Sequence, residues 1–358
     1  MSKKAYLVLE NGKTFTGQLF GSFSDTTDIM GELVFTTGMN GYLETVTDPS
    51  HHGQMVVSTF PLIGNYGVIS NDFESDNIHV AAYIVKYPCQ EPSNFRSEEA
   101  LDNFFAKKGI TGLSGIDTRV LTKIIRDHGV LKGQITTKTP AEADLQAIKA
   151  HKVKNATAAV STKAILTKGA GDLNIALLDL GVKNSTINAL VASGATVTIY
   201  PHNTSGEDIL ATKPDGIIIS SGPLSPNGPD NQQMETTIKT LQNANIPMLA
   251  IDTGHLLLAQ ANGYHINKLK FGSRGNNQSV KCTKTGKLYI TQHNHQYYVD
   301  ADSKTDNRVS FVNVNTGICE GMDYGMAWGV QFVPGAGPTD TSFLLDMFIE
   351  RVKENATR

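Results

Sequence analysis

The stretch Ile246-Pro-Met-Leu-Ala-Ile-Asp-Thr-Gly-His-Leu-Leu-Leu-Ala-Gln260 decides the fold. A short apolar run ends at Asp252, a glycine follows at 254, and a helix-like segment runs over Leu256–Asn262. The order is strand, sharp turn, helix. In an α/β sheet such a turn lifts one side chain above the carboxyl ends of the strands, with a helix N-terminus beneath it. That side chain is Asp252, and Gly254 permits the bend. Most strand–turn–helix links carry no chemistry, so this segment alone also fits an ordinary connection.

The surroundings agree with an α/β sheet. Asn174–Gly181 is apolar, Asn184–Ser193 is amphipathic, and Thr196–Tyr200, Gly216–Ser220 and Pro247–Ile251 read as strands. A helix is expected near Glu235–Asn243. Continuous apolar runs alternating with helices point to a parallel sheet covered on both faces. The first part of the chain reads differently. Short β-type runs at Ala5–Leu9, Glu32–Thr36 and Val80–Val85 are punctuated by turn pairs at Asn11-Gly12 and Asn40-Gly41. Helices are expected over Ser97–Lys107, capped by Ser97, and over Asp117–Asp127. Between the two parts, 138–171 is rich in Lys and Ala with weak periodicity, and reads as a short helix plus linker. The predicted organisation is an α+β domain over 1–137, a helix and linker over 138–171, and an α/β domain over 172–358.

At 358 residues the chain is long enough for two cores. A net charge of −3 gives no support for nucleic-acid binding. No apolar run has the roughly 18 residues needed to span a bilayer, so no membrane association is expected. The start reads as a first strand rather than a signal peptide. Cys89, Cys282 and Cys319 are odd in number and lack metal-ligand spacing, which suits a reduced, cytoplasmic protein without disulfides.

Several segments together resemble one family. They are Gly31-Glu-Leu-Val-Phe-Thr-Thr-Gly-Met-Asn-Gly-Tyr42, Thr47-Asp-Pro-Ser50, Pro61-Leu-Ile-Gly-Asn-Tyr-Gly67 and Gly112-Leu-Ser-Gly-Ile-Asp-Thr-Arg119 in the first part. In the second they are Pro214-Asp-Gly-Ile-Ile-Ile-Ser-Ser-Gly-Pro223, Lys270-Phe-Gly-Ser-Arg-Gly-Asn-Asn277 and Asn294-His295. The chain resembles the small subunit of carbamoyl-phosphate synthetase, whose carboxyl half is a class I glutamine amidotransferase domain. The resemblance implies a small-subunit domain followed by an open, mostly parallel sheet with helices on both faces. It also implies glutamine hydrolysis by a Cys–His–Glu triad, with ammonia passed to a large subunit. ATP and Mg would belong to that large subunit, so no cofactor is expected in this chain. The product would serve arginine or pyrimidine synthesis.

The pattern departs from the family at the chemistry. The family elbow Gly-Ile-Cys-Leu-Gly-His-Gln reads Ala250-Ile-Asp-Thr-Gly-His-Leu256, and the family's Gln-Gly-His-Pro-Glu-Ala reads Gln331-Phe-Val-Pro-Gly-Ala336. The triad positions are therefore Asp252, Val333 and Gly335. An ionised carboxylate is a poor nucleophile toward an amide, and valine cannot move a proton. The family's glutamine-site positions fall at Ser50, Gly222, Leu224, Thr253, Leu256, Asn294, Gln296 and Tyr297. Ser50 and Asn294 match the family. Leu224 and Gln296 fill glycine positions, and Leu256 replaces a glutamine that contacts substrate. Glutamine stays a possible ligand. The expectation is a small subunit without glutaminase activity that acts as a structural or regulatory partner. The alternatives are an enzyme with substitute residues, Asp252 as its base, or a binding protein outside the complex.

Other residues are weighed on their own. His255 reads as packing behind the turn rather than as a base. His293 and His295 are placed near the pocket rim, where one of them could replace the lost base. Cys282 and Cys319 read as inert thiols. His51-His52 lacks a third ligand, and Arg274 with Asn276 sits in a loop shaping the pocket wall or a partner surface.

Overall fold

The computed structural model describes residues 3–223, 231–335 and 339–356. It divides into two compact units: Met1–Lys154 with Lys270–Gly272, and Asn155–Leu269 with Ser273–Arg358. The segment 138–171 is split between them. Helix Leu145–Ala150 lies in the first unit, and helix Ala156–Val160 and strand Leu166–Lys168 lie in the second.

In the first unit seven strands close into a barrel, in the order Lys3–Leu9, Thr14–Gly21, Thr111–Ser114, Ala82–Ile84, Gln54–Ser58, Asp28–Thr36 and Leu131–Thr136. Strand side chains alternate between faces. One set from every barrel strand, including Leu7, Leu19, Leu113, Ile84, Met55, Leu33 and Ile135, gathers with Leu121 and Ile125 of helix Thr118–His128. The opposite set, with Val34, Val56 and Tyr83, packs against Tyr42, Leu43, Phe104 and Phe105 of two helices. Asp117 caps the 118–128 helix by accepting from Val120 N at 3.0 Å, a contact of the kind worth about 1 kcal/mol.

Two local expectations change. Asn11-Gly12 does turn one antiparallel strand into the next, with Gly12 at φ 82°. Asn40-Gly41 does not make a hairpin: the strands on either side of it, Asp28–Thr36 and Gln54–Ser58, pair in parallel, and Gly41 at φ 76° is instead the N-cap of helix Tyr42–Thr47. The next helix begins at Leu101 rather than near Ser97, with Ala100 at its N-cap.

The second unit is built on a ten-stranded sheet. Ala195–Pro201, Leu173–Asp179, Gly216–Ile219, Met248–Ile251 and Ala327–Val330 run parallel in that spatial order. Leu166–Lys168 adds antiparallel at one edge, and an antiparallel arm of Cys319–Asp323, Leu288–Val299, Ile266–Cys282 and Val309–Asn313 extends the other. The core strands are apolar at consecutive positions because both faces are covered. Ile175 and Leu177 pack on one side with Ile187, Leu190, Leu344 and Phe348 of helices Asn184–Ala192 and Phe343–Ala356. Ala176 and Leu178 pack on the other with Ile209, Met234, Ile238 and Leu257 of three further helices. Phe271–Asn277 is not a loop: it continues strand Ile266–Cys282, with register shifts between Lys268 and Ser273 and between Gly275 and Gln278.

Candidate functional site

Strand Met248–Ile251 lies between two parallel neighbours, and helix Thr253–Ala261 begins one residue after it ends. Asp252 makes the whole turn, at φ 52° and ψ −109°. That conformation costs a non-glycine residue about 1–3 kcal/mol and persists only when its surroundings over-determine it. The surroundings here do so. Asp252 N donates to Val330 O at 2.8 Å, Gly254 N to Ser220 O at 3.2 Å, and Leu256 N to Asp252 O at 3.1 Å. Gly254 is required by a close approach: a Cβ there would lie 2.5 Å from Ile219 O. Gly222 is tighter still, with a Cβ falling 1.8 Å from Leu180 O. Thr253 donates its hydroxyl to Gly222 O, and Thr157 donates to Pro223 O at 2.9 Å.

The Asp252 side chain is buried, and Gln331, itself 1% exposed, donates Nε2–H to Asp252 Oδ1 at 2.9 Å. Val333 is buried, and its backbone N–H donates to Gln292 O at 3.3 Å. Gly335 N donates to Thr341 Oγ1 at 3.3 Å, and a Cβ at 335 would meet Thr339 Oγ1 at 2.4 Å. The turn of a nucleophile elbow is thus present, with a hydrogen-bonded carboxylate at its apex.

The glutamine-site positions divide. Thr253 and Gly222 sit beside the elbow, joined by their hydrogen bond. Leu256 is 2% exposed and belongs to an apolar cluster with Ala259, Val299, Val309, Cys319 and Met322, so it is core. Asn294, Gln296 and Tyr297 follow one another on strand Leu288–Val299; Gln296 is buried, the other two half-buried. Leu224 lies outside the described residues. Ser50 belongs to the first unit, in the turn Pro49–His51, where its N–H donates to Asp48 Oδ1 at 2.9 Å.

The histidines differ from the sequence reading. His293 and His295 are not at a rim. They occupy inward positions i and i+2 of their strand and are 2% and 4% exposed. With Glu320, 1% exposed on strand Cys319–Asp323, they form a buried cluster. His293 Nδ1 lies 3.6 Å from Glu320 Oε1, and His295 Nε2 lies 3.5 Å from Glu320 Oε2. Burial pushes His293 down to about 4. For His295 burial acts in the same direction, but the carboxylates of Glu320 and Asp252 together overcome it and raise its pKa. His255 is fully buried, and that burial pushes it down to about 3. It is a neutral packing residue, not a base poised near neutrality.

None of the cysteines stands in the elbow: Cys282 and Cys319 lie on strands of the antiparallel arm, and Cys89 belongs to the first unit. Burial drives the Cys319 thiol up to about 12. At Cys282, the last residue of strand Ile266–Cys282, burial also raises the thiol pKa, but hydrogen bonds with Thr285 and Lys284 and the Lys284 charge outweigh it and lower it, against the inert reading. All three cysteines are free. No helix among the described residues is long and apolar enough to cross a membrane. His51 Nδ1 is engaged with Gln54 Oε1 at 2.9 Å. Arg274 is 6% exposed on a strand, away from the loop role expected for it. Sequence reasoning missed Glu320 and Gln331 as site residues. The His-x-His spacing on a strand was the available signal for the cluster, since it puts both rings on one face.

Comparison with known proteins covers nearly the whole chain. Residues 7–135 match the family described as carbamoyl-phosphate synthase small chain, CPSase domain, and residues 176–351 match glutamine amidotransferase class-I. The chain belongs to the carbamoyl-phosphate synthase small chain family. It is 41% identical to the carbamoyl phosphate synthase small chain of Listeria monocytogenes serotype 4b, over 97% of this chain and 96% of that protein. The small chain of Bacillus caldolyticus is 40% identical, over 98% and 97%. The pyrimidine-specific small chain of Bacillus subtilis is 40% identical, over 98% and 96%. Within this family, then, the present member holds the elbow backbone while carrying Asp252, Val333 and Gly335.

Proposed function

We propose that this small chain has lost glutamine hydrolysis and acts as a structural or regulatory partner of a carbamoyl-phosphate synthase large subunit that draws on free ammonia. The observation that carries the proposal is the elbow. Its apex holds a carboxylate engaged by Gln331 where a thiolate would attack, and Val333 and Gly335 offer no proton carrier and no group to orient one. Nucleophile, base and orienting group work as a unit, and removing such a unit costs several powers of ten in rate. The barrel of the first unit, by contrast, is fully built and matches its family domain over 7–135.

The test combines the purified chain with a large subunit and measures two products. Glutamate release from glutamine should not rise above that of the large subunit alone, while ammonium-driven carbamoyl phosphate formation proceeds. Asp252→Asn should change neither rate. A second reading rests on the coupling of Asp252 to His295, which could make the carboxylate a working base. It predicts chain-dependent glutamate release that Asp252→Asn abolishes, and that result would sink the scaffold reading. Calorimetric titration with glutamine separates retained binding from lost chemistry. Failure to co-purify with a large subunit would instead support a protein outside the complex.

A further inference from the structure

We propose that His293, His295 and Glu320 bind one divalent transition-metal ion of the zinc class, which pins the antiparallel arm of the second unit. The argument begins with hydrogens. Thr291 donates its hydroxyl to Gln278 O at 2.8 Å, so toward His293 Nε2, also 2.8 Å away, it can only accept. Nε2 of His293 therefore carries the hydrogen and Nδ1 presents its lone pair. His295 Nδ1 lies 2.9 Å from the backbone carbonyl of Tyr297, which also only accepts, so in the neutral ring Nε2 presents a lone pair.

These two acceptor nitrogens face one another at 3.3 Å, and the Ser273 hydroxyl donates to His293 Nδ1 at 2.8 Å. Glu320 adds a carboxylate, with Oε1 at 3.6 Å from one nitrogen and Oε2 at 3.5 Å from the other. Glu320 Oε2 is buried without a hydrogen-bond partner among the described residues. Asn313 Nδ2 donates to Glu320 Oε1 at 3.3 Å, and the remaining lone pairs of three groups, all at least nine-tenths buried, converge where one cation can meet them together. Tetrahedral coordination with bonds of roughly 2.0–2.2 Å puts neighbouring donor atoms about 3.3–3.6 Å apart, the separation of the two nitrogens and of each nitrogen from its facing carboxylate oxygen, and one donor atom from each residue lies within 4.8 Å of the others. Two imidazoles and one carboxylate are the donors of zinc-class ions, whereas magnesium and calcium take oxygen. The hydrogen bonds from each far ring nitrogen, to Thr291 and to the Tyr297 carbonyl, are those that orient a ligating histidine. An ion at His293 Nδ1 takes the place of the hydrogen that Ser273 donates there, and Ser273 Oγ then stands as a further oxygen at the cluster.

The structural role follows from the strands. Leu288–Val299 and Cys319–Asp323 share a single registered pair, Val299 with Cys319. An ion held by two residues of the first and one of the second joins them where the ladder does not. The donors are buried, so the ion enters during folding and exchanges slowly.

The test uses the full-length, tag-free chain produced in zinc-supplemented minimal medium, desalted over a chelating resin and assayed for metal by mass spectrometry. Wild type should hold about one zinc per chain, and His293→Gln and Glu320→Gln less than about a tenth of that. Protein grown on cobalt should show the visible bands of tetrahedral Co2+ without a thiolate charge-transfer band in the near ultraviolet. Wild-type protein with negligible zinc and no cobalt bands would overturn the proposal and leave a proton as the occupant. Undiminished metal in both variants, or a thiolate band, would overturn it by placing the ion elsewhere. Should a variant fail to fold, the wild-type stoichiometry and cobalt spectrum still decide.

Discussion

Replacing His255 by leucine isolates the energetic consequence of a histidine sealed beneath the elbow. The ring is 0% exposed, neither nitrogen has a hydrogen-bond partner among the described residues, and it lies against Gly329, where a Cβ would come within 2.6 Å of Nδ1. Burial holds its pKa near 3, against the ordinary value of 6.5 in the unfolded chain. Above pH 6.5 both states carry a neutral ring and the residue adds no pH dependence. As pH falls below that, the unfolded chain binds a proton that the folded chain refuses, so folded stability drops until about pH 3. At about pH 5 the loss is about 1.5 pH units at 1.36 kcal/mol each, or about 2 kcal/mol.

The readout is urea unfolding followed by fluorescence of Trp328, the only tryptophan in the sequence, which is 4% exposed in the second-unit core. Between about pH 7.5 and pH 5 the wild type should lose about 2 kcal/mol more than His255→Leu does. Other histidines titrate in both proteins and cancel in the difference. At neutral pH the variant should match or slightly exceed the wild type, because two desolvated nitrogens are gone. Parallel stability-versus-pH curves for the two proteins would refute the reasoning, and would revive His255 as a group that titrates freely in the folded state.

The remaining predictions concern the elbow. Gln331→Leu strips Asp252 Oδ1 of a buried charge-assisted hydrogen bond and should cost about 1.5–3 kcal/mol in the Trp328 transition, a loss that Asp252→Asn in the same chain reduces. Gly222→Ala places a Cβ 1.8 Å from Leu180 O and should leave little soluble protein, measured by yield, whereas an alanine at Gly263, where nothing lies within 4 Å, should cost only the positive-φ strain of about 1 kcal/mol. Restoring cysteine, histidine and glutamate together at 252, 333 and 335 should not by itself restore glutamate release, since the new Cβ at 335 meets Thr339; adding Thr339→Gly should be a condition for any recovery in a glutaminase assay.

Parts of this structure were legible because their determinants are local. The alternating strand–helix pattern of the second part places four of the five parallel strands within a residue or two, all but Ala327–Val330, since consecutive apolar residues in a two-sided sheet need no partner to be recognised. The helix beginning at Asp117 and the turn at Gly12 are likewise decided within four residues, although Asp117 proves to be the cap rather than the first helical residue. Asn40-Gly41 misled because positive φ at a glycine serves a helix start as well as a hairpin, and the parallel pairing that excludes the hairpin is long-range. The His293, His295 and Glu320 cluster was hidden for the same reason: its members come from strands joined by a single registered pair. Leu256 was placed in a binding site by alignment with a polar family residue, but a leucine with apolar neighbours turns to the core.

The elbow itself shows how much of such a turn the sheet fixes, whatever side chain stands at its apex. Strain at a nucleophile is often assigned to catalysis, yet here φ 52° and ψ −109° are held by an aspartate rather than a cysteine. The cause lies in the sheet. The N–H of Asp252 is committed to Val330, that of Gly254 to Ser220, and Gly254 is wedged against Ile219, so the backbone at 252 has one available path from strand to helix. Gly222 and Gly254 are therefore fixed by packing, and changing them threatens folding. Val333 and Gly335 lie beyond the last core strand, Ala327–Val330, where a side chain can be exchanged without breaking the parallel ladder. Exchanging the side chains at 252 and 333 spares the parallel ladder and losing the turn does not, so this elbow backbone can stand with Asp252 and Val333 in place.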